Sequence, residues 1–474
     1  MRKNILSPLI CFTSFCKRVL LFSIVALPAY AQSQDVVPDA VEYAALKDLY
    51  ESTNGTDWNT NTDWPTTWPA TATSAEFGTW FGVGVENGDV TSLMLYSNNL
   101  SGTVPASIGN LQSLQSMNIQ SNQLTGSFPS SLSNAHNLTS LVLQGNQFTG
   151  SLPAWSGTDF PYLQILYLNN NQFSGSVPAS YSTFPSMSQL FFNDNQLTGS
   201  LPSQFASMTW LQDFRTSNNP FTAGSMPSWL GQMSGLTVLL MGGNNFTGTI
   251  PASLGDLHNL QYLSLNYNQL TGGIPAELSG TAMTTLDLLG NHLDDMSNDL
   301  SGMTQLAYLG LSNNQFHGAL PEWFGNLPAL ASLILDNNQL TSLPSSFSNL
   351  SHLTWLYLQN NQLTGNFPDV SQMPNLYVVN ISHNRFSGSL PASFSSRTNL
   401  YLFDAGYNQF SGTFPSINNW SNLTSLSITS NHFSGAFPST TGLNVLHLRR
   451  SYQQRVFEFS IYAVNAACYW LCQL

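Results

Sequence analysis

An asparagine returns about every 24 residues through most of this chain, and no other feature constrains the fold as strongly. The position runs through Asn98, Asn122, Asn146, Asn171, Asn195, Asn219, Asn244, Asn268, Asn291, Asn314, Asn338, Asn361, Asn384, Asn408 and Asn431. Around it the frame reads L-x-L-x-x-N-x-L-x-G-x-h-P, with h apolar, as in Leu166, Leu168, Asn171, Phe173, Gly175, Val177 and Pro178. A unit this short cannot bury an apolar face by itself. Folding therefore belongs to the stacked array.

Each position in the frame has a physical role. Alternation in L-x-L sends the leucines to one face and the intervening residues to the other, which predicts a short strand with a core side and a surface side. The asparagine follows where the chain turns away, and its amide is expected to satisfy backbone groups of its own turn and of the next coil. The later Gly permits a tight bend, and the Pro rules out a continuing helix or a central strand. The fifteen ladder asparagines are read as structural.

The frame resembles the leucine-rich repeat family, in the plant-type subclass with L-x-G-x-I-P, most clearly at Leu100 to Pro105, Leu124 to Pro129, Phe246 to Pro251 and Leu270 to Pro275. That resemblance implies an α/β-type repeat solenoid, a curved array with a parallel concave β-sheet and an irregular or 3₁₀ convex side. It also implies a protein that works by binding macromolecules. Plant members carry C-x-W-x-G-V-x-C before the first repeat, whereas Gly78 and Val85 stand at the two cysteine positions here. With no cysteine in its cap, the chain looks more like exported bacterial members of the family.

The predicted organisation is a signal peptide over 1–31, an N-terminal cap over 32–89, about fifteen repeats over 90–442, and an atypical tail or cap over 443–474. In the leader, Lys17 and Arg18 precede an apolar run, and Ala29-Tyr30-Ala31 places small residues before Gln32. In the cap, Asp39 and Glu42 suggest a capping box on a helix over 40–52 that stops at Asn54-Gly55. The segments 80–83 and 90–95, joined by Asn87-Gly88, read as a hairpin. The tail has three readings: a cap on the last coil, a membrane-associated segment, or a frame-shifted end. Cys11, Cys16, Cys468 and Cys472 all lie outside the repeats, so the array is expected to stand without disulfides.

Charge limits the partners. Of 11 Lys and Arg, four (Arg2, Lys3, Lys17 and Arg18) fall in the leader, leaving seven against 24 Asp and Glu. Phosphate backbones need clustered cations, so nucleic acid is excluded as a partner, and a polybasic contact with anionic lipid is disfavoured. No H-E-x-x-H, G-x-S-x-G or Walker loop occurs, and the histidines are scattered. His383 alone falls on the expected concave side, beside Asp404 of the following coil. No catalytic residue, cofactor or metal is therefore expected, and Asp294, Asp295 and Asp299 read as a solvated acidic turn.

Function should sit on the outward positions of the strands. These are unusually rich in aromatic and aliphatic residues for a solvent-facing surface, and Tyr and Trp are frequent interface anchors. The candidate ligand-binding residues are Tyr167, Phe191, Asp213, Arg215, Tyr262, Tyr308, Trp355, Tyr357 and Asp404, in two patches around Tyr167 and Trp355. The expectation is an exported monomer at the cell surface or in the periplasm that binds a protein or glycan. A structural alternative is a surface-active protein binding an ordered lattice such as ice or crystalline polysaccharide. The motivation is the row of Thr125, Thr149, Ser174 and Thr198, each just before a Gly.

Overall fold

In the computed structural model, residues 40–439 are described in full and 460–462 as backbone only. All of them lie in the unit Pro38–Leu474. The leader, Asp39 and most of the tail fall outside the described residues.

Each L-x-L becomes a three-residue strand of the form x-L-x, as in Ile165–Tyr167, where Leu166 is buried and its two neighbours face the other way. Fifteen strands, from the longer Asp89–Met94 to Ser425–Ser427, pair in parallel among the described residues. The inward residues are in register, as in Leu141 opposite Leu166, Leu166 opposite Leu190, and Leu190 opposite Phe214. A column of apolar side chains thus runs along the solenoid core, and each coil completes the burial begun by its neighbour. The sheet is joined by one antiparallel strand at each end. Val83–Glu86 forms a hairpin with the first strand, and Ser460–Tyr462 pairs with the last, Leu426 facing Ile461.

The ladder asparagines explain how the coils hold together. Asn171 Nδ2 donates to the Leu168 carbonyl of its own turn at 3.2 Å and to the Leu143 carbonyl at 3.1 Å, while its Oδ1 accepts from the Phe148 N–H at 3.1 Å. The inter-coil bonds therefore reach back to the preceding coil, where the sequence suggested the next. The residue before each ladder position takes a positive φ, from Ser97 at 50° to Ser430 at 53°. That conformation swings the amide inward under the turn.

Beyond the asparagine the structure adds an element that the frame did not reveal. The N-x-L-x-G segments form a second set of parallel strands, in sheets of five, four, two and four. Their Gly residues turn the chain at positive φ, 75° at Gly126 and 76° at Gly175. The sheets break where repeats leave the frame: Pro220 follows Asn219, 291–300 lacks both Gly and Pro, and 338–344 has no Gly. After Pro the chain winds into a 3₁₀ turn such as Ser130–Asn134, with Pro129 extended at its N-cap and Leu132 buried. These turns form the return side.

The cap carries the helix Ala40–Ser52, ended by Asn54 at φ 55°, and a hairpin turned by Asn87 and Gly88 at φ 54° and 93°, whose first strand is Val83–Glu86 and not the 80–83 expected, since Trp80 to Gly82 form a turn. The capping box expected at Asp39 falls outside the described residues, and Glu42 has a partner that the sequence did not indicate. Its buried carboxylate accepts the Val90 N–H at 3.0 Å and so ties the helix to the first strand. Where the plant-type frame that this chain resembles carries a disulfide, this cap packs rings instead: Trp64 lies 5.0 Å from both Trp58 and Trp80, and Trp80 also meets Trp68 and Phe77. The backbone still keeps disulfide spacing. A Cβ added to Gly78 would stand 3.5 Å from the Val85 Cβ, at the short end of the range that a disulfide spans.

Candidate functional site

The face opposite the leucines is built from three columns. Two come from the strands themselves, and the third lies two residues beyond, at Asn169, Asn193, Asp336, Gln359 and their equivalents. Side chains in one column sit roughly 4.8 Å apart from coil to coil, so they cover one another.

This mutual cover changes the first patch. Tyr167 and Phe191 stack at 4.2 Å and 4°, and the Arg215 guanidinium lies 4.2 Å over the other face of Phe191. Arg215 is itself clamped by Asp213, with Nε to Oδ1 at 2.9 Å and Nη2 to Oδ2 at 2.7 Å. The four predicted residues therefore come together as one stack. Phe191 and Asp213, at 7% and 8% exposure, form its floor and are not free anchors. The Tyr167 hydroxyl donates to Gln189, and burial raises its pKa. Beside it the Asn169 carboxamide oxygen is buried without a partner.

The second patch is wider. Trp355 and Tyr357 are half-buried on one strand, and the Trp355 ring meets Tyr377 at 5.9 Å, which in turn stacks on Tyr401 at 5.0 Å. Ile334, in register with Tyr357 on the preceding strand, is buried. Tyr308 lies two coils earlier, and its hydroxyl and Asp287 Oδ1 both hang over Gly310. A Cβ there would sit 2.8 and 3.0 Å from them. Asp287 accepts bonds from Asn266 at 2.8 Å, Ser264 at 3.3 Å and the Leu289 N–H at 3.2 Å. Asp336, buried in the third column, accepts from Ser312 and from Asn337. Neither aspartate was singled out as a site residue from the sequence. The alternation that exposed the first two columns extends to the third, and following it two residues further would have found Asp336.

Tyr262 is half-buried and precedes this patch by one coil, in register with Thr285. Asp404 lies beyond it, its Oδ1 accepting the Gly406 N–H at 2.9 Å. His383 stacks on Tyr407 at 4.3 Å and 11°, so the ring of the following coil that it contacts is a tyrosine. Both residues, with Tyr267, hold positive φ where most other coils use Asn, Gly or Ser. In the acidic turn, Asp295 accepts the Ser297 N–H and hydroxyl at 2.8 and 3.0 Å, and Asp299 accepts the Ser301 N–H at 2.8 Å. The Thr125 row belongs to the interrupted second sheet and steps between coils, Thr125 facing Gln147.

Burial is the chief cause that lifts the Asp287 and Asp336 carboxyls above the ordinary range. The folded chain then binds protons more tightly than the unfolded one at these two sites. Their unfavourable contribution is fully present above the folded pKa values, and it is relieved as pH falls through them toward the unfolded value of 3.8. Asp287→Asn with Asp336→Asn is therefore expected to raise the urea midpoint at neutral pH, with the advantage narrowing as the solution is acidified. An advantage that grows on acidification would contradict this assignment.

Leucine-rich repeat profiles match residues 89–148 and 304–363 in one form and 162–184, 235–257, 259–281 and 375–396 in another. A search of curated proteins gave no match. Among solved structures, the Arabidopsis receptor kinase HAESA, in complex with the peptide hormone IDA and the co-receptor SERK1, is 30% identical with a TM-score of 0.77, over 86% of this chain and 70% of that one. A leucine-rich repeat protein of Leptospira interrogans is 29% identical at a TM-score of 0.59, over 68% and 79%. A TDR receptor is 28% identical at 0.55, over 72% and 68%.

Proposed function

Because the chain belongs to the leucine-rich repeat family, we propose that it is an exported, non-enzymatic recognition protein that holds an extended segment of a protein ligand on its concave sheet. The observation that carries this reading is the concave row itself. Half-buried rings at Tyr167, Tyr262, Tyr308, Trp355 and Tyr357 stand on a floor of buried neighbours that fixes their rotamers. A rigid strand platform loses little entropy on binding, and half-exposed Tyr and Trp supply area that a ligand can cover. The similarity to HAESA, solved with a peptide hormone, favours a peptide segment over a glycan. A lattice ligand would need a long unbroken plane, and the Ser/Thr rows lie in sheets of at most five strands among the described residues.

The test is capture from the native surroundings with the full chain as bait. Tyr167→Ala, Trp355→Ala and Tyr357→Ala combined are expected to weaken the captured protein by roughly 2–4 kcal/mol or more while the array stays folded. Equal retention by the folded triple variant would overturn the proposal.

A further inference from the structure

Just before each strand, where the chain arrives from the return side, two outward positions flank a buried Leu or Met. In three successive coils they are Tyr162 and Gln164, Ser186 and Ser188, and Trp210 and Gln212. Backbone bonds stitch the second column from coil to coil: the Ser188 N–H donates to the Gln164 carbonyl and the Gln212 N–H to the Ser188 carbonyl, each at 2.9 Å. The Ser188 hydroxyl turns onto the Gln164 carbonyl as well, at 3.1 Å. In the coils on either side, the Thr139 and Thr237 hydroxyls bond the Gln115 and Gln212 carbonyls in the same way, at 2.9 and 3.1 Å. The hydroxyls thus give their protons to the ladder, whereas the Gln164 and Gln212 carboxamides, exposed and without a partner among the described residues, point outward at every second coil. The rings keep the same period. Tyr162 and Trp210 are exposed and meet no other ring among the described residues, and between them stands only Ser186, its hydroxyl turned to the Pro161 carbonyl at 3.4 Å. Neighbouring coils place Asn137, Gly235 and Asn259 at the ring position. Two rings and two amides therefore recur at a spacing of two coils, roughly 10 Å. Neither column carries a charged residue from Ser113 to Gln261.

We infer that this row is a second binding surface, separate from the concave rings, and that its ligand is a single neutral polysaccharide chain with β-1,4 linkages lying along the solenoid. In such a chain alternate sugars are turned over, so equivalent groups return at every second residue, and two pyranose rings span about the length of two coils. Each exposed ring offers an apolar body on which the C–H face of a sugar packs, with a polar tip at its edge. Each Gln offers two donors and an acceptor to the hydroxyls beside that sugar. A lattice needs a plane, but one chain needs only a row. The uncharged lining selects against acidic glycans, because a carboxylate there would lose water and gain no cation. Exposed rings at two of these coils and small or polar residues at their neighbours are what a ligand of that period requires, whereas burial of the core accounts for neither ring.

The experiment is calorimetric titration of the full chain with soluble β-1,4-linked oligomers of glucose and of N-acetylglucosamine, from dimer to hexamer. Binding of either series supports the surface, and the preferred series names the sugar. A dimer reaches one ring and a longer oligomer reaches both, so the hexamer is expected to bind roughly 10-fold more tightly or better. Tyr162→Ala or Trp210→Ala should weaken the hexamer roughly 10-fold, and the pair should remove detectable binding. Val41→Ala, an exposed change on the cap helix, should bind as the parent does. Because both rings are exposed, the double variant should melt with the parent, which separates lost recognition from lost folding. The α-1,4-linked glucose hexamer is the control for geometry, since its chain curls away from the row. Equal affinity for the α-linked chain, affinity independent of length, unchanged binding by the double variant, or no binding of either series would overturn the inference. Loss of a captured protein on mutating Tyr162 and Trp210, with no glycan bound by the parent, would assign the row to a protein contact and overturn it as well. The concave reading is tested by its own variants and stands or falls apart from these results.

Discussion

Replacing Asn219 by Ala is expected to lower the free energy of unfolding by roughly 3–6 kcal/mol, because three backbone groups lose their partners in a place that water does not reach. Asn219 is 1% exposed. Its Nδ2 donates to the Phe192 and Thr216 carbonyls, each at 2.9 Å, and its Oδ1 accepts the Leu197 N–H at 3.0 Å. Alanine removes the donor and the acceptor together and adds a small void. Leucine would fill the void and still leave the three groups unsatisfied, so size alone should not rescue the site. Asn122, which is half-buried, makes bonds of the same kind. Water can reach it, so Asn122→Ala should cost less. Denaturant unfolding of the two variants checks both statements, and a loss below about 1 kcal/mol at Asn219 would contradict the ladder as the stitch between coils.

Trp80→Ala is expected to cost roughly 3–5 kcal/mol, the range for emptying a buried aromatic site. Trp80 is 4% exposed and touches Tyr43, Trp64, Trp68 and Phe77. Its loss would loosen the helix Ala40–Ser52 and uncover the apolar edge of the first coil, so association in solution should accompany the drop in melting temperature. Gly78→Cys with Val85→Cys then provides a separate test, since the backbone already holds the two Cβ positions at 3.5 Å. Oxidation should close a short loop and restore roughly 2–3 kcal/mol. Gly78 lies close to the Ser74 carbonyl, and failure of the pair to oxidise would show that ring packing has replaced the disulfide with a different backbone.

These residues also show what the sequence could convey. A period of about 24 residues carries the solenoid, because only stacking buries leucines spaced that way. The cap helix and its hairpin were legible for local reasons: Asn54 and the pair Asn87-Gly88 are among the few residues that tolerate positive φ. The second sheet was not legible. Gln-Phe-Thr-Gly reads as turn chemistry, and it becomes a strand only when the next coil supplies a partner. The site was half legible. Alternation placed Tyr167, Trp355 and Tyr357 on the face opposite the leucines, as the strands show, but it could not show that Phe191 would be covered by Tyr167 and Arg215. It also could not show that Asp287 and Asp336 would converge on Tyr308, since that depends on coils brought together by the register. The leader over 1–31 and most of the tail remain sequence expectations.

The concave face as ligand site is tested most directly by hydroxyl-radical footprinting of the chain with and without its captured partner. Tyr167, Tyr308, Trp355 and Tyr357 should lose reactivity on binding. Tyr162 and Trp210, exposed at 57% and 40% outside the strands, should keep theirs. Protection of Tyr162 and Trp210, with the concave rings still reactive, would contradict the account.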